Sequence, residues 1–493
     1  MSEPITKKKW YSGTTTTEDW WSVWIGFTLI FLGLFSLLGV DLTGWVAYPS
    51  KWMPGTDYTF LKGLKPLGSA YSSIGFLGSL MVTYAVLTVI FLLAARAIKW
   101  DVKKFWLGWT ILFFLTYLLW VLGQHAYFAA DATSKAKYGL DHVLSLGGGS
   151  SYILALFTGL VIGNFIKPVA DILRPAAKPE LYIKIAIVLL GVKVGMLAFQ
   201  ASGFIFDLAI AGAAATIVAY LIFWPGTYFI ARRVFKMPRK TSAVMASGIS
   251  ICGVSAAVAT AGAVRAKPLI PVMVSALIVI YAVIELVLIP PIFTHTMIDQ
   301  PVVAGAAMGM SIKTDGADAA AGAIMDEMMR SRKLAMDGTV WEEGFITTSA
   351  IMTKIWIDMF IGVWAFVLAM FWLYKVDKRP GEKIPKSEIW HRFPKFVIGY
   401  LVSWFLYLAI LFYNPDSEPL VTMGAKPLEK GLRTFFFMLT FVSIGVVTDF
   451  RKLAEARFGK MVFVYLIALA VFIIPVALLV AWIFHHGMEV PII

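Results

Sequence analysis

Three stretches of this chain place polar chemistry inside apolar sequence. The first runs Ser247-Gly248-Ile249-Ser250-Ile251-Cys252-Gly253-Val254-Ser255-Ala256-Ala257. Small residues let helix backbones approach closely in lipid, so a close-packed helix accounts for it. The same residues also suit a helix broken near Gly253. A break frees backbone N–H groups, and the dipole of the half-helix that follows favours an anion. Ser250 and Ser255 would add hydroxyl donors beside Cys252 and Gly253. The second stretch, Ser443 to Arg451, is glycine-interrupted at Gly445 and ends with Thr448 and Asp449. It fits a plain helix end, or the partner interruption that transporter halves supply. The third reads Ser311-Ile312-Lys313-Thr314-Asp315-Gly316-Ala317-Asp318. Ionisable residues in an apolar span are costly unless paired or facing a cavity. Lys313 can pair with Asp315 or Asp318 as a structural bridge. Alternatively the lysine holds an anion, and Asp315 or Asp318, with Thr314 and Thr448 as oxygen ligands, carries a proton or sodium.

Other charges are less specific. Lys193 lies in an apolar run and either snorkels to an interface or joins Lys313 in holding an anion. Lys354 and Asp358 are one helical turn apart and suit a pair. Glu285 stands alone in an apolar helix, as a packing oddity or a proton site. No phosphate-binding loop, catalytic triad or metal-ligand cluster can be assembled, which argues against an enzyme. Cys252 is the only cysteine and the six histidines are scattered, so no cofactor is expected beyond a coupling proton or sodium.

The elements that must position these residues are membrane helices. The 493 residues are 59% hydrophobic and 15% charged, with mean hydropathy +0.77. Soluble chains average about 45–50% apolar and about 25% charged. The apolar residues form runs near the ~20 residues needed to cross a bilayer, and backbone polar groups in lipid force such runs into helices. Thirteen spans are expected, near 22–41, 72–96, 105–130, 150–166, 181–199, 204–230, 243–264, 268–294, 301–323, 347–374, 394–414, 431–448 and 459–484. The net charge of +13 reflects short basic loops, such as Arg232-Arg233, Lys236 and Arg239-Lys240, and not nucleic-acid binding. Their distribution puts the N-terminus in the cytoplasm and the chain in the cell (inner) membrane. The first apolar run has no cleavage site after it and is expected to remain as a helix.

The run Gly248-x-Ser250-Ile251-Cys252-Gly253-x-Ser255-Ala256 resembles the signature of the YeiH-type family of proposed sulfate exporters. Further matches follow in order. They are Ala155 to Gly159 with Gly163-Asn164, Lys184 to Lys193, Lys354, Phe393-Pro394 with Phe396-Val397 and Gly399, and Gly445 with Thr448-Asp449 and Arg451. The resemblance covers about 150–484. Two departures stand out: Lys313-Thr314-Asp315 replaces a His-Asp-Thr run, and Asp358 stands near where the family has an arginine after Lys354. The resemblance implies the fold of bile-acid/sodium symporters and sodium/proton antiporters. That fold is all-α, with two inverted five-helix repeats and two crossing broken helices. The repeats would be 150–294 and 301–484, with 1–149 as an extension of about three helices. The interrupted spans 243–264 and 431–448 would occupy equivalent fourth positions and cross at Gly253 and Gly445.

The expected function is secondary export of a small oxyanion (sulfate, sulfite or a sulfonate). It would be held by Ser250, Cys252, Gly253, Ser255, Gly445, Lys193 and Lys313. The competing expectations are a cation/proton antiporter using Asp315 and Asp318, and a non-transporting subunit that docks a partner through the extension. The expected partners are the anion and the bilayer, and the oligomeric state is open, a homodimer included.

Overall fold

The computed structural model describes the chain except for residues 1–13, 57, 60–63, 131–134, 144–148, 201, 268, 377–389, 391–393, 450–458 and 493. Local chemistry sets the helix ends. Helix α1 (Glu18–Leu34) starts at Thr17, whose hydroxyl accepts from the Trp20 N–H, and Glu18 and Asp19 fill its first turn. Both features favour a helix start. Helix α2 (Gly75–Ile98) stops at Lys99, which turns left-handed at φ 66°. Asp101 then accepts from Lys104 N–H and opens α3 (Val102–Gly123). A short antiparallel strand pair, Ala47–Pro49 with Leu64–Pro66, completes the extension.

The remaining helices are α4 (Gly149–Phe165), α5 (Lys167–Leu173), α6 (Pro179–Gln200), α7 (Ser202–Phe229), α8 (Arg239–Ser250), α9 (Gly253–Ala263) and α10 (Leu269–Thr296). After them come α11 (Pro301–Ser311), α12 (Asp315–Asp337), α13 (Phe345–Met359), α14 (Ile361–Phe371), α15 (Lys395–Tyr413), α16 (Glu418–Lys426), α17 (Arg433–Val447), α18 (Lys460–Ile467) and α19 (Ile474–His485). The molecule is an all-α polytopic membrane protein. Among the described residues, nine helical stretches are long and apolar enough to cross a membrane, or ten with α4 and α5, which meet at 114°. Helix α6 is 22 residues long and buried along most of its length.

Two of the thirteen expected spans do not cross. At Ile251 and Cys252 the backbone leaves the helical region (φ/ψ −115°/−104° and −126°/85°). The chain then folds back. Thr260 donates to Ser247 at 2.7 Å, and the Lys240 ammonium reaches the Arg265 carbonyl at 3.4 Å. A straight helix over those 25 residues would separate them by about 37 Å at 1.5 Å per residue. We call α8–α9 hairpin A. The segment 301–337 does the same around Ile312–Thr314. Lys333 in α12 pairs with Asp299, just before α11, at 3.8 Å. Helix α11 runs alongside α13 with Gly305 against Ile346 and Gly309 against Ala350, whereas Gly322 of α12 lies back at Thr347 and Ala350. This is hairpin B. Arms of 12 and 11 residues in hairpin A are too short to span ~30 Å of hydrocarbon.

The packing has a two-fold character. Helix α4 packs on α17 as α15 packs on α6, and hairpin A lies on α7 as hairpin B lies on α19. Helix α10 lies against α12 as α14 lies against α9. In chain order the hairpin comes fourth in the first set and first in the second. The interrupted pair is therefore 239–263 with 301–337, not 243–264 with 431–448. The second expected interruption is absent because Gly445 sits inside continuous α17. A Cβ on Gly445 would lie 2.5 Å from Leu160 N, and one on Gly159 would lie 2.4 Å from Val442 O. Those glycines serve the close crossing of α4 and α17.

Candidate functional site

The two hairpin tips meet in the interior. A Cβ on Gly253 would lie 2.8 Å from the Lys313 carbonyl oxygen and 3.3 Å from Thr314 Cγ2, so only glycine lets the tips touch this way. Each tip joins the C-terminal end of one short helix to the N-terminal end of the next. The two kinds of end carry opposite partial charges. Lysines sit at the negative ends. Lys354 of α13 donates to Ile251 O, where α8 ends, at 2.9 Å. Lys313 donates to Met310 O in the last turn of α11 and its ammonium stands 5.3 Å over the Phe223 ring. At the positive end of α12, Thr314 caps the helix by accepting from Ala317 N–H. Helix α9 starts at Gly253 without a side-chain cap.

Carboxylates surround this junction. Asp318, in the first turn of α12, is buried and acts electrostatically on Lys313. Asp358 pairs with Lys354 at 3.6 Å. Glu285 of α10 is buried, accepts from Tyr465 at 2.5 Å, and feels both Lys313 and Lys354. The sequence flagged Glu285 without a role. Its partner is 180 positions away, so spacing could not have found it.

The expected site residues separate into two groups. Cys252, Gly253, Lys313 and Thr314 meet at the tips, with Asp318 one turn below. Asp315 is the first residue of α12, and its side chain lies outside the described ones. Ser250 ends α8 and donates to Thr227 on α7 at 3.1 Å. The others lie elsewhere. Ser255 is exposed, on the same face of α9 as Val258 and Gly262. Lys193 lies beside Gly344 near the far end of α6. Gly445 packs on Gly159, and Thr448 ends α17, with its carbonyl held by Asn164 at 3.1 Å.

One cavity reaches the junction and a second lies farther along α12. One, of about 130 Å³, is lined by Val254, Thr314, Ala317, Leu286, Thr440 and Glu180. It connects the tips with the face where α6 begins. The other, of about 350 Å³, opens at the opposite face, beside Asp326, Glu327 and Arg330 of α12. Helix α12 thus lines both, and between them its residues Asp318 to Gly322 are buried. At the second cavity, partial desolvation tends to raise the Glu343 pKa. Arg330, Lys193, Lys430 and Arg433 outweigh it and hold the carboxyl below its ordinary 4.5.

Paired re-entrant hairpins inside a helical bundle, with a cavity reaching their tips, define a polytopic membrane protein of transporter-like build. The family described as Conserved hypothetical protein 698 matches residues 133–466, and the chain belongs to this family of UPF0324, YeiH-type membrane proteins. It is similar to a UPF0324 membrane protein of Nitrosomonas europaea, 50% identical over 98% of this chain and 99% of the other. One from Nitratidesulfovibrio vulgaris is 32% identical over 78% of this chain and 61% of its own. The UPF0324 inner membrane protein YeiH of Salmonella typhimurium is 26% identical over 59% of this chain and 84% of its own. Among solved structures, a sodium proton antiporter of Methanocaldococcus jannaschii matches with 13% identity over 74% of this chain and all of its own. Its TM-score is 0.16, a level that carries no argument about fold or mechanism.

Proposed function

We propose that this protein is a secondary transporter for a small oxyanion, such as sulfate, sulfite or a sulfonate, bound where the hairpin tips meet. The observation that carries this is the contact of Gly253 with Lys313 and Thr314, with a cavity reaching Val254 and Thr314 beside it. Such re-entrant, helix-end sites are how membrane proteins present backbone dipoles to ions without exposing them to lipid. Lys313 and Lys354 offset the negative helix ends, which leaves the N-terminal ends of α9 and α12 to attract an anion. Asp318 and Glu285 flank Lys313, and a coupling proton or sodium is assigned to this group. Cys252 and Ser250 shape the tip. The exposed basic residues beside hairpin A point that face to the cytoplasm, with the N-terminus on the same side.

The test is transport by purified protein in liposomes. Uptake or exchange of sulfate, sulfite or taurine under a proton or sodium gradient is expected. The anion assignment fails if none of these moves under any gradient. Proton movement on adding sodium, with no anion present, would reassign the site to cation/proton exchange.

A further inference from the structure

The cavity on the face opposite hairpin A's ends has its own chemistry, well away from the tips. On helix α12, Arg330 lies four positions after Asp326 and three after Glu327, the spacings at which helix side chains meet. These three are mutually engaged. Asp326 accepts from the N–H groups of Gly344 (3.2 Å), Ile346 (3.0 Å) and Thr347 (3.3 Å), which start α13. Arg330 binds Asp326 at 2.9 Å and Glu327 at 2.5 Å. The opposing wall is different. It carries Lys430 from the turn leading into α17, Arg433 from the start of α17, and Lys51 from the N-terminal extension. Arg433 is steadied by Glu429, just outside the cavity, at 3.6 Å.

Aromatic rings complete that wall. Tyr48 and Trp120 come from the extension, and Trp341 closes the rim. The Lys430 ammonium stands 5.8 Å from the Tyr48 ring centroid. Glu343 lines the cavity and is exposed to it, and the surrounding cations hold its carboxyl below its ordinary value. A cavity of about 350 Å³ is in the size range of small-molecule pockets, which combine apolar walls with a few placed polar groups.

We propose that this cavity is a second anion site, built jointly by the N-terminal extension, the segment that opens α17 and hairpin B, that takes a small organic anion with a flat apolar body. The head group lies among Lys51, Lys430 and Arg433, and the body rests on Tyr48, Trp120 and Trp341. This site stands independently of the one at the tips. The extension then has a chemical task, which is to supply one wall of the site.

Isothermal titration of the purified full-length protein with benzenesulfonate, and separately with inorganic sulfate, tests it. Benzenesulfonate is expected to bind, and sulfate to bind more weakly because it lacks the body. Lys430→Gln and Lys51→Gln each neutralise a half-buried cation and should each weaken benzenesulfonate by about tenfold, which is ~1.4 kcal/mol. Lys240→Gln, on the opposite face, should leave it unchanged. Absence of benzenesulfonate binding overturns the proposal. So does binding that both outer-wall variants leave intact.

Discussion

Lys354 and Asp358 lie one turn apart on α13, buried, and 3.6 Å from each other. Removing one partner of a buried pair typically costs about 3–5 kcal/mol, because the other charge is left in the interior. Lys354→Met should therefore lower the melting temperature, and Lys354→Met/Asp358→Leu should recover part of the loss. Transport should stay low in both, since each lacks the ammonium on Ile251 O. Recovery of transport in the double variant would reduce Lys354 to a structural role. Glu343 supplies a pH prediction. Its pKa is lower folded than unfolded, so its contribution to stability is full above about pH 4.5 and is lost as pH falls through the folded value. Melting curves of wild type and Glu343→Gln should differ at pH 7 and converge in acid. The Lys354–Asp358 pair was legible in the sequence because helical spacing fixes such neighbours. The Glu285–Tyr465 bond was not, because only the tertiary fold joins α10 to α18.

The hairpins show what apolar pattern does and does not encode. Residues 243–264 are as apolar as a crossing helix, and hydropathy registers length and composition but not direction. The reversal at Ile251-Cys252 involves neither proline nor a left-handed glycine, so turn chemistry gives no warning. Glycine spacing was ambiguous for a similar reason. Gly253 and Gly445 both interrupt apolar runs, yet one meets another tip and the other meets a helix backbone. Their alanine variants should diverge. Gly445→Ala forces α4 and α17 apart and should cost about 1–3 kcal/mol, as overpacking does, with anion affinity preserved in the folded fraction. Gly253→Ala should reduce anion binding more than it reduces stability. Thermal melts and titrations on the same preparations separate the two. The fold-back itself is checked by side-selective labelling: cysteines placed at Lys240 and Arg265 should react from the same side of the membrane. A crossing helix would put them on opposite sides.

For the whole molecule, folding back two segments leaves the start of α1 and the end of α19 on opposite faces but moves Arg265 and Lys267 to the face that already holds Lys236, Arg239 and Lys240. The charge asymmetry that orients membrane proteins is stronger in the folded topology than thirteen simple crossings would make it. The helical class was readable from run lengths. The rotated order of elements in the second set was not, because it exists only in which helices touch. Cys252 adds one consequence. The chain's only thiol is buried where the hairpins touch, so the unmodified protein carries its own single-site stopwatch. The rate at which a water-soluble alkylating reagent consumes that sulfur, followed by intact mass, times how often the tips part. A bound anion that holds them together should lengthen the interval.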